Sequence, residues 1–159
     1  MMMTFNTQTD SSSPAMYSEY RCLFGISTPV ASFKAGSSYR IFDHDWSSLI
    51  IAGKNDRCYW FVLERTKRYA ESEIPHYSQA DQEEYFQKYK DRNVGAGVPL
   101  QTVWDKRVST SLVHLEEAQY EHWTFGRIAC LGDSIHKMTP NSYVYGSVYC
   151  VHCTDELHL

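Results

Sequence analysis

This sequence predicts an α+β fold, a mostly antiparallel sheet with one or two helices. Three observations carry that expectation. Short stretches with apolar residues at alternate positions follow one another between Tyr20 and Glu64, which is the period of half-buried strands. Strands in quick succession, with no helical period between them, pair antiparallel. From Ser78 to Asn93 the spacing changes to that of a helix.

The elements follow in order. "YRCLFGIST" (Tyr20 to Thr28) sets Tyr20, Cys22, Phe24 and Ile26 on one face of a strand. "PVASFKAGSS" reads as a loop, "YRIFDHD" (Tyr39 to Asp45) and "SLIIAG" (Ser48 to Gly53) as short strands, and "GKND" as a turn. "RCYWFVLE" (Arg57 to Glu64) is rich in the aromatic and β-branched residues that suit a pleated surface. In "SQADQEEYFQKYKDRN" Ser78 is placed to cap a helix, with Asp81 three residues on and an apolar stripe of Tyr85, Phe86 and Tyr89. "NVGAGVPL" ends that helix with glycines and a proline. "STSLVHLEEA" (Ser109 to Ala118) suits a short helix or a strand, and its pattern does not separate the two. "WTFGRIACLGD" (Trp123 to Asp133) reads as a buried strand running into a Gly-Asp turn, with Cys130 as a small core residue.

Composition bounds the function. The 159 residues suit one domain, and 43% apolar content can fill a modest core. Twelve tyrosines and four tryptophans give apolar bodies with polar tips, residues that often line ligand pockets. A net charge of −4 without any basic block argues against nucleic acid as a partner. No run approaches the ~18 apolar residues of a membrane span. Residues 1–18 read as a polar, disordered leader with neither the apolar core of a secretory signal nor the arginines of a transit peptide. Five dispersed cysteines and no export signal lead us to expect reduced thiols in a cytoplasmic protein.

The densest stretch is "GRIACLGDSIHKMTPN", Gly126 to Asn141. A glycine before the aspartate permits unusual torsions and close backbone approach, and α/β sheets place ligands just past the carboxyl ends of their strands. A carboxylate there suits the hydroxyl groups of a polyol, although the same Asp133 and Ser134 also suit simple closure of a turn.

That stretch resembles the Gly-Asp fingerprint of the FAD-dependent monooxygenases of the aromatic-hydroxylase family, most of all the fungal branch acting on terpenoid intermediates of secondary metabolism. The resemblance implies that Asp133 bonds the ribityl chain of FAD, that Gly132 lets the backbone approach it, and that Pro140 lies beside the isoalloxazine ring, with His136 structural. It assigns Tyr20 to Trp123 to the substrate-domain sheet and puts Tyr59, Trp60 and Phe61 on that sheet. It implies reduction by NADPH or NADH and hydroxylation or epoxidation of a hydrophobic small molecule. The GxGxxG helix start of such enzymes is not found in this sequence, and the likeness stops between Asn141 and Ser142. The expected organisation is therefore a leader at 1–18, a partial monooxygenase domain at 19–141 and an atypical tail at 142–159. A truncated member with impaired FAD binding is expected, the alternative being a non-catalytic remnant or small binding module without cofactor.

Two further patterns carry metal-ligating or acid-base residue types. "CVHCTDELH" gathers Cys150, His152, Cys153 and His158, but ligands crowded into one tail do not suggest the paired knuckles of a zinc site, and no metal is expected. "DHDW" (Asp43 to Trp46) sets two carboxylates around His44, which reads as solvated turn chemistry rather than an acid-base pair.

Overall fold

The computed structural model describes residues 16–120, 124–125 and 127–140, and the account that follows refers to these. β1 (Tyr17–Ser27) lies in a six-stranded sheet between β4 (Cys58–Ala70) and β7 (Arg107–Gln119). β3 (Trp46–Ala52) and β2 (Ser38–Asp43) extend it beyond β4, and β10 (His136–Lys137) adds the strand beyond β7. Every neighbouring pair is antiparallel. α1 (Gln79–Tyr89) and α2 (Leu100–Asp105) follow β4, separated by a hairpin of β5 (Asn93–Gly95) and β6 (Val98–Pro99). β8 (Thr124–Phe125) and β9 (Ile128–Ala129) form a second small hairpin. The fold is α+β with a mostly antiparallel sheet, as the sequence predicts.

Local chemistry explains most boundaries. Ser78 caps α1 as expected: its hydroxyl accepts from the Asp81 amide at 3.3 Å, and the Asp81 carboxylate accepts from the Ser78 amide at 2.6 Å. β2 and β3 are joined through His44 and Asp45, the latter at φ 54°, so the "DHDW" stretch is a turn. β4 runs six residues past Glu64 because β1 continues alongside it, Tyr17 opposite Ala70. Its charged end has no alternating pattern to read. Pairing with β1 also settles the Ser109–Ala118 stretch as strand. β1 includes Tyr17 and the fully buried Ser18, so the last two residues of the stretch that composition assigns to the leader belong to the sheet.

The core lies on one side of the sheet. Leu23, Ile50, Trp60, Val62 and Leu112 meet Tyr85, Phe86 and Tyr89 of α1 and Leu100, Val103 and Trp104 of α2. Phe86 and Trp104 stack with ring centres 4.3 Å apart and planes within 3°. Neither helix, nor any other helix among the described residues, is long and apolar enough to cross a membrane.

Gly25 makes room for this packing. A Cβ at that position would lie 2.3 Å from the Trp60 ring and 2.9 Å from the Ser109 carbonyl oxygen. The Gly25→Ala variant is therefore expected to lose about 1–3 kcal/mol from overpacking, read as a lower urea midpoint at unchanged slope.

Two expectations are corrected. The stretch before the Gly-Asp turn is not a buried strand. Residues 127–131 are exposed, Ile128 at 61% and Leu131 at 72%, and the regular parts of the stretch are the two-residue strands β8 and β9. An apolar run becomes a buried strand only where other layers cover it, and no described element does so here. Cys130 is accordingly exposed rather than a core residue.

Candidate functional site

The helices cover one face of the sheet, and strand periodicity sends every second side chain to the other. On β1 that face carries Tyr20, Cys22, Phe24 and Ile26, the set read from the sequence. The register puts Phe61 opposite Phe24, Tyr59 opposite Ile26 and Leu63 opposite Cys22, with Leu49 and Ile51 of β3 beyond them and Val113 of β7 on the other flank. Phe24 and Phe61 stack at 6.3 Å and 26°.

Among the described residues this face is only partly covered. Phe24, Tyr59, Ile51 and Val113 are between 36% and 40% exposed although they are neighbours on adjacent strands. Contiguous apolar surface of this kind marks a place where something else binds. Cys22 sinks between larger neighbours, and burial pushes its thiol up to about 12, so it is not a thiolate nucleophile. The central positions offer aromatic rings, aliphatic chains, a tyrosine hydroxyl and serines. They offer no carboxylate or imidazole for acid-base work.

At one end Arg65, opposite Tyr20, leads to a groove lined by Glu19, Asp45, Thr66, Lys67 and Arg68. Its arginines are paired, Arg65 with Glu19 at 3.6 Å and Asp45 at 3.7 Å, and Arg68 with Glu19 at 3.6 Å.

On the helix side a carboxylate is held among aromatics. Glu64 is 9% exposed and accepts hydrogen bonds from Arg21 at 2.8 Å, from the Tyr89 hydroxyl at 2.7 Å and from Lys88. Burial pushes its carboxyl up, but the bonds from Lys88, Tyr89 and Arg21 outweigh burial and hold it below the usual range. Beside it, His114 bridges Ser18 and Tyr77 at 3.0 and 2.7 Å. The sequence reading missed this network, although a signal existed. The alternation that buries Cys58, Trp60 and Val62 also puts Glu64 on the inner face.

The Gly-Asp turn lies beyond the far end of β7. Gly132–Ser134 is a single 3-10 turn in which Gly132 adopts φ 64° with open space where a Cβ would stand. Asp133 is exposed, and Ser134 closes the turn by donating to the Leu131 carbonyl at 2.7 Å. Beyond it Ile135 and Thr139 are buried, β10 pairs with Ala118 and Gln119, and the Thr139 amide donates to Glu117 at 3.1 Å. Among the described residues the buried Thr139 hydroxyl has no hydrogen-bond partner, and Pro140 is exposed. Of the aromatic trio in β4, Tyr59 and Phe61 face the open side, whereas Trp60 is fully buried against the helices. Trp123, Gly126, Asn141 and the tail with its cysteines and histidines lie outside the described residues. Among the described residues no group of three His, Cys, Asp or Glu side chains could hold a metal ion.

Comparison with known proteins extends the geometry. No family model matches the chain. It is 39% identical over 142 residues to the FAD-dependent monooxygenase anuJ of Penicillium roqueforti, covering 87% of this chain and 17% of that protein. It is 42% identical over 133 residues to the FAD-dependent monooxygenase verC1 of Penicillium polonicum, with shares of 83% and 16%. It is 40% identical over 129 residues to the FAD-dependent monooxygenase spyC of Aspergillus fumigatus, with shares of 80% and 27%. The chain thus spans roughly a sixth to a quarter of the length of these curated relatives. Among solved structures, tetracycline destructase Tet(55) superposes with a TM-score of 0.50 at 13% identity, over 85% of this chain and 35% of that one. At that identity the likeness concerns the fold alone.

Proposed function

We propose, from the premise that this chain is a homologue of the fungal FAD-dependent monooxygenases and matches one stretch of them, that its sheet is the substrate-bearing part of such an enzyme. The observation that carries the reading is the open apolar face. Four adjacent strands contribute to it, and at about 4.8 Å per strand the surface is roughly 14 Å across. That breadth suits a hydrophobic molecule of several rings, in keeping with hydroxylation or epoxidation of a terpenoid-type intermediate of secondary metabolism. Phe24, Phe61 and Tyr59 supply flat contacts, and Leu49, Ile51 and Val113 supply the apolar border. Their role is to bind, orient and exclude water. With no acid-base group at the centre, the face leaves the redox chemistry to a cofactor.

The residues around the Gly-Asp turn fit part of FAD. The Asp133 carboxylate accepts from hydroxyl groups, Gly132 leaves space for close approach, and the Thr139 hydroxyl, without a partner among the described residues, lies in the same segment. These are partners for a ribityl chain, with Pro140 beside the ring system. When bound and reduced by NADPH or NADH, FAD supplies dioxygen activation and oxygen transfer. Residues 19–141 are the part proposed to belong to the monooxygenase domain.

Contacts to one portion of a large dianionic cofactor are worth far less than the whole set, and each tenfold of affinity is about 1.4 kcal/mol. A polypeptide of these 159 residues is accordingly expected to bind free FAD more weakly than micromolar. Flavin fluorescence titration checks this. Tight one-to-one binding would overturn the impaired-binding part of the proposal.

A further inference from the structure

We propose that His114 is a pH-operated latch: in its neutral form it holds the segment between β4 and α1 on the sheet through Tyr77, and when protonated it lets that segment go. The hydrogen-bond directions are fixed by their neighbours. The Ser18 hydroxyl donates its proton to the Tyr20 carbonyl at 3.0 Å, so its oxygen accepts from His114 Nδ1 at 3.0 Å. Nδ1 therefore carries the ring proton. Nε2 is left bare and accepts from the Tyr77 hydroxyl at 2.7 Å. Arg21, which Glu64 anchors at 2.8 Å, lies over the Tyr77 ring at 5.7 Å. The chain of donors runs from Tyr77 through His114 and Ser18 to the Tyr20 carbonyl, and the ring atom left to take a proton is the one that holds Tyr77.

The surroundings do not stabilise an imidazolium. From β1 the ring faces Arg21 and Ser18. From β4 it meets Tyr69 edge-on at 4.9 Å, with the Lys67 ammonium 4.8 Å from that ring, while Glu64 is committed to Arg21, Lys88 and Tyr89. From the segment before α1 it meets Tyr77. Asp81 at the start of α1 is held by Ser78, and Glu116, farther along β7, is paired with Lys137. Among the described residues no carboxylate is paired with the ring, and the nearby charge is the Arg21 cation. Burial lowers the His114 pKa, and Arg21 adds to this against a hydrogen bond to the Tyr20 carbonyl. The contribution of the neutral ring is therefore complete above the ordinary value of 6.5 and is lost as pH falls below it toward the folded pKa.

The latched segment has little else to hold it. Glu71, Ser72, Glu73, His76 and Ser78 are exposed, and Tyr77 is its aromatic contact with the core cluster. Release is therefore local, with the sheet intact. The test uses the full chain. Long-range proton–nitrogen NMR at pH 7.5 is expected to show the Nδ1–H tautomer of His114. Amide exchange, corrected for its intrinsic pH dependence, is expected to lose protection over residues 74–82 between pH 7.5 and 5.0. The amides of Leu23 and Val62 should stay unchanged. His114→Asn should abolish the pH response. Tyr77→Phe, which keeps the ring and removes the bond, should give fast exchange in this segment already at pH 7.5, and it carries the test should the first variant not fold. An Nε2–H tautomer, protection indifferent to pH in the wild-type chain, or parallel loss at Leu23 and Val62 would each overturn the proposal.

Discussion

Glu64→Ala is expected to lower the stability of this domain by about 3–5 kcal/mol, the range for breaking a buried ion pair from one side. The loss comes from what is left behind. Arg21 is stacked over Tyr85 at 5.0 Å and would keep its charge without a counter-ion, and the Tyr89 hydroxyl would lose its acceptor. Lys88 is 55% exposed at its side chain and finds water instead, so its contact adds little. Glu64→Gln keeps an acceptor for Tyr89 but removes the charge, and should cost less, about 2 kcal/mol. The carboxyl is held below its ordinary value of 4.5 in the fold, so its stabilisation is complete above 4.5 and disappears as pH falls through the lower folded value. Urea titrations at pH 7 and pH 3.5 check both statements, since Glu64→Gln should narrow the gap between wild type and variant at the lower pH. The His114 window opens higher, below 6.5, so the two effects separate on the pH axis.

Trp60→Ala should cost about 3–5 kcal/mol as well, through a cavity that its neighbours cannot fill. Trp60 is fully buried beneath Trp104, with ring centres 6.4 Å apart. Its indole N–H donates to the Ser27 hydroxyl at 2.8 Å, and Ser27 donates onward to the Val103 carbonyl at 2.6 Å, tying β4 to β1 and β1 to α2. Because the ring occupies the space above Gly25, the two sites should be coupled. Gly25→Ala combined with Trp60→Phe is expected to be less destabilising than the sum of the two single changes. Thermal melts of the four proteins complete that cycle, and strict additivity would contradict the packing described here.

Where a strand had one buried face, its alternation was readable. Tyr20 to Ile26 shows the alternation, although the set it picks out lies on the open face and Leu23 on the packed one, and the capped start of α1 was readable because its signal is local to Ser78 and Asp81. What sequence could not supply was the partner of each strand. Ser109 to Ala118 resolves as strand only because β1 lies beside it, and the far end of β4 is charged because it is solvated on both sides. The stretch Arg127 to Leu131 shows the converse. Its composition is that of a covered strand, and it stands exposed with no described layer over it. The open face was half legible, since Tyr20 to Ile26 and the β4 aromatics were visible. That Trp60 turns inward and Tyr59 and Phe61 outward follows from a register that pairs Phe24 with Phe61.

The central claim is that the uncovered face of the sheet, rather than the packed one, receives a multi-ring hydrophobic ligand. Methyl and aromatic NMR spectra of the chain, recorded during titration with an apolar polycyclic terpenoid, test it most directly. Shifts should concentrate on Phe24, Ile26, Leu49, Ile51, Phe61 and Val113 while Ile50, Val62 and Leu112 stay still. Shifts confined to that inner set, or none at all at saturating ligand, would contradict it.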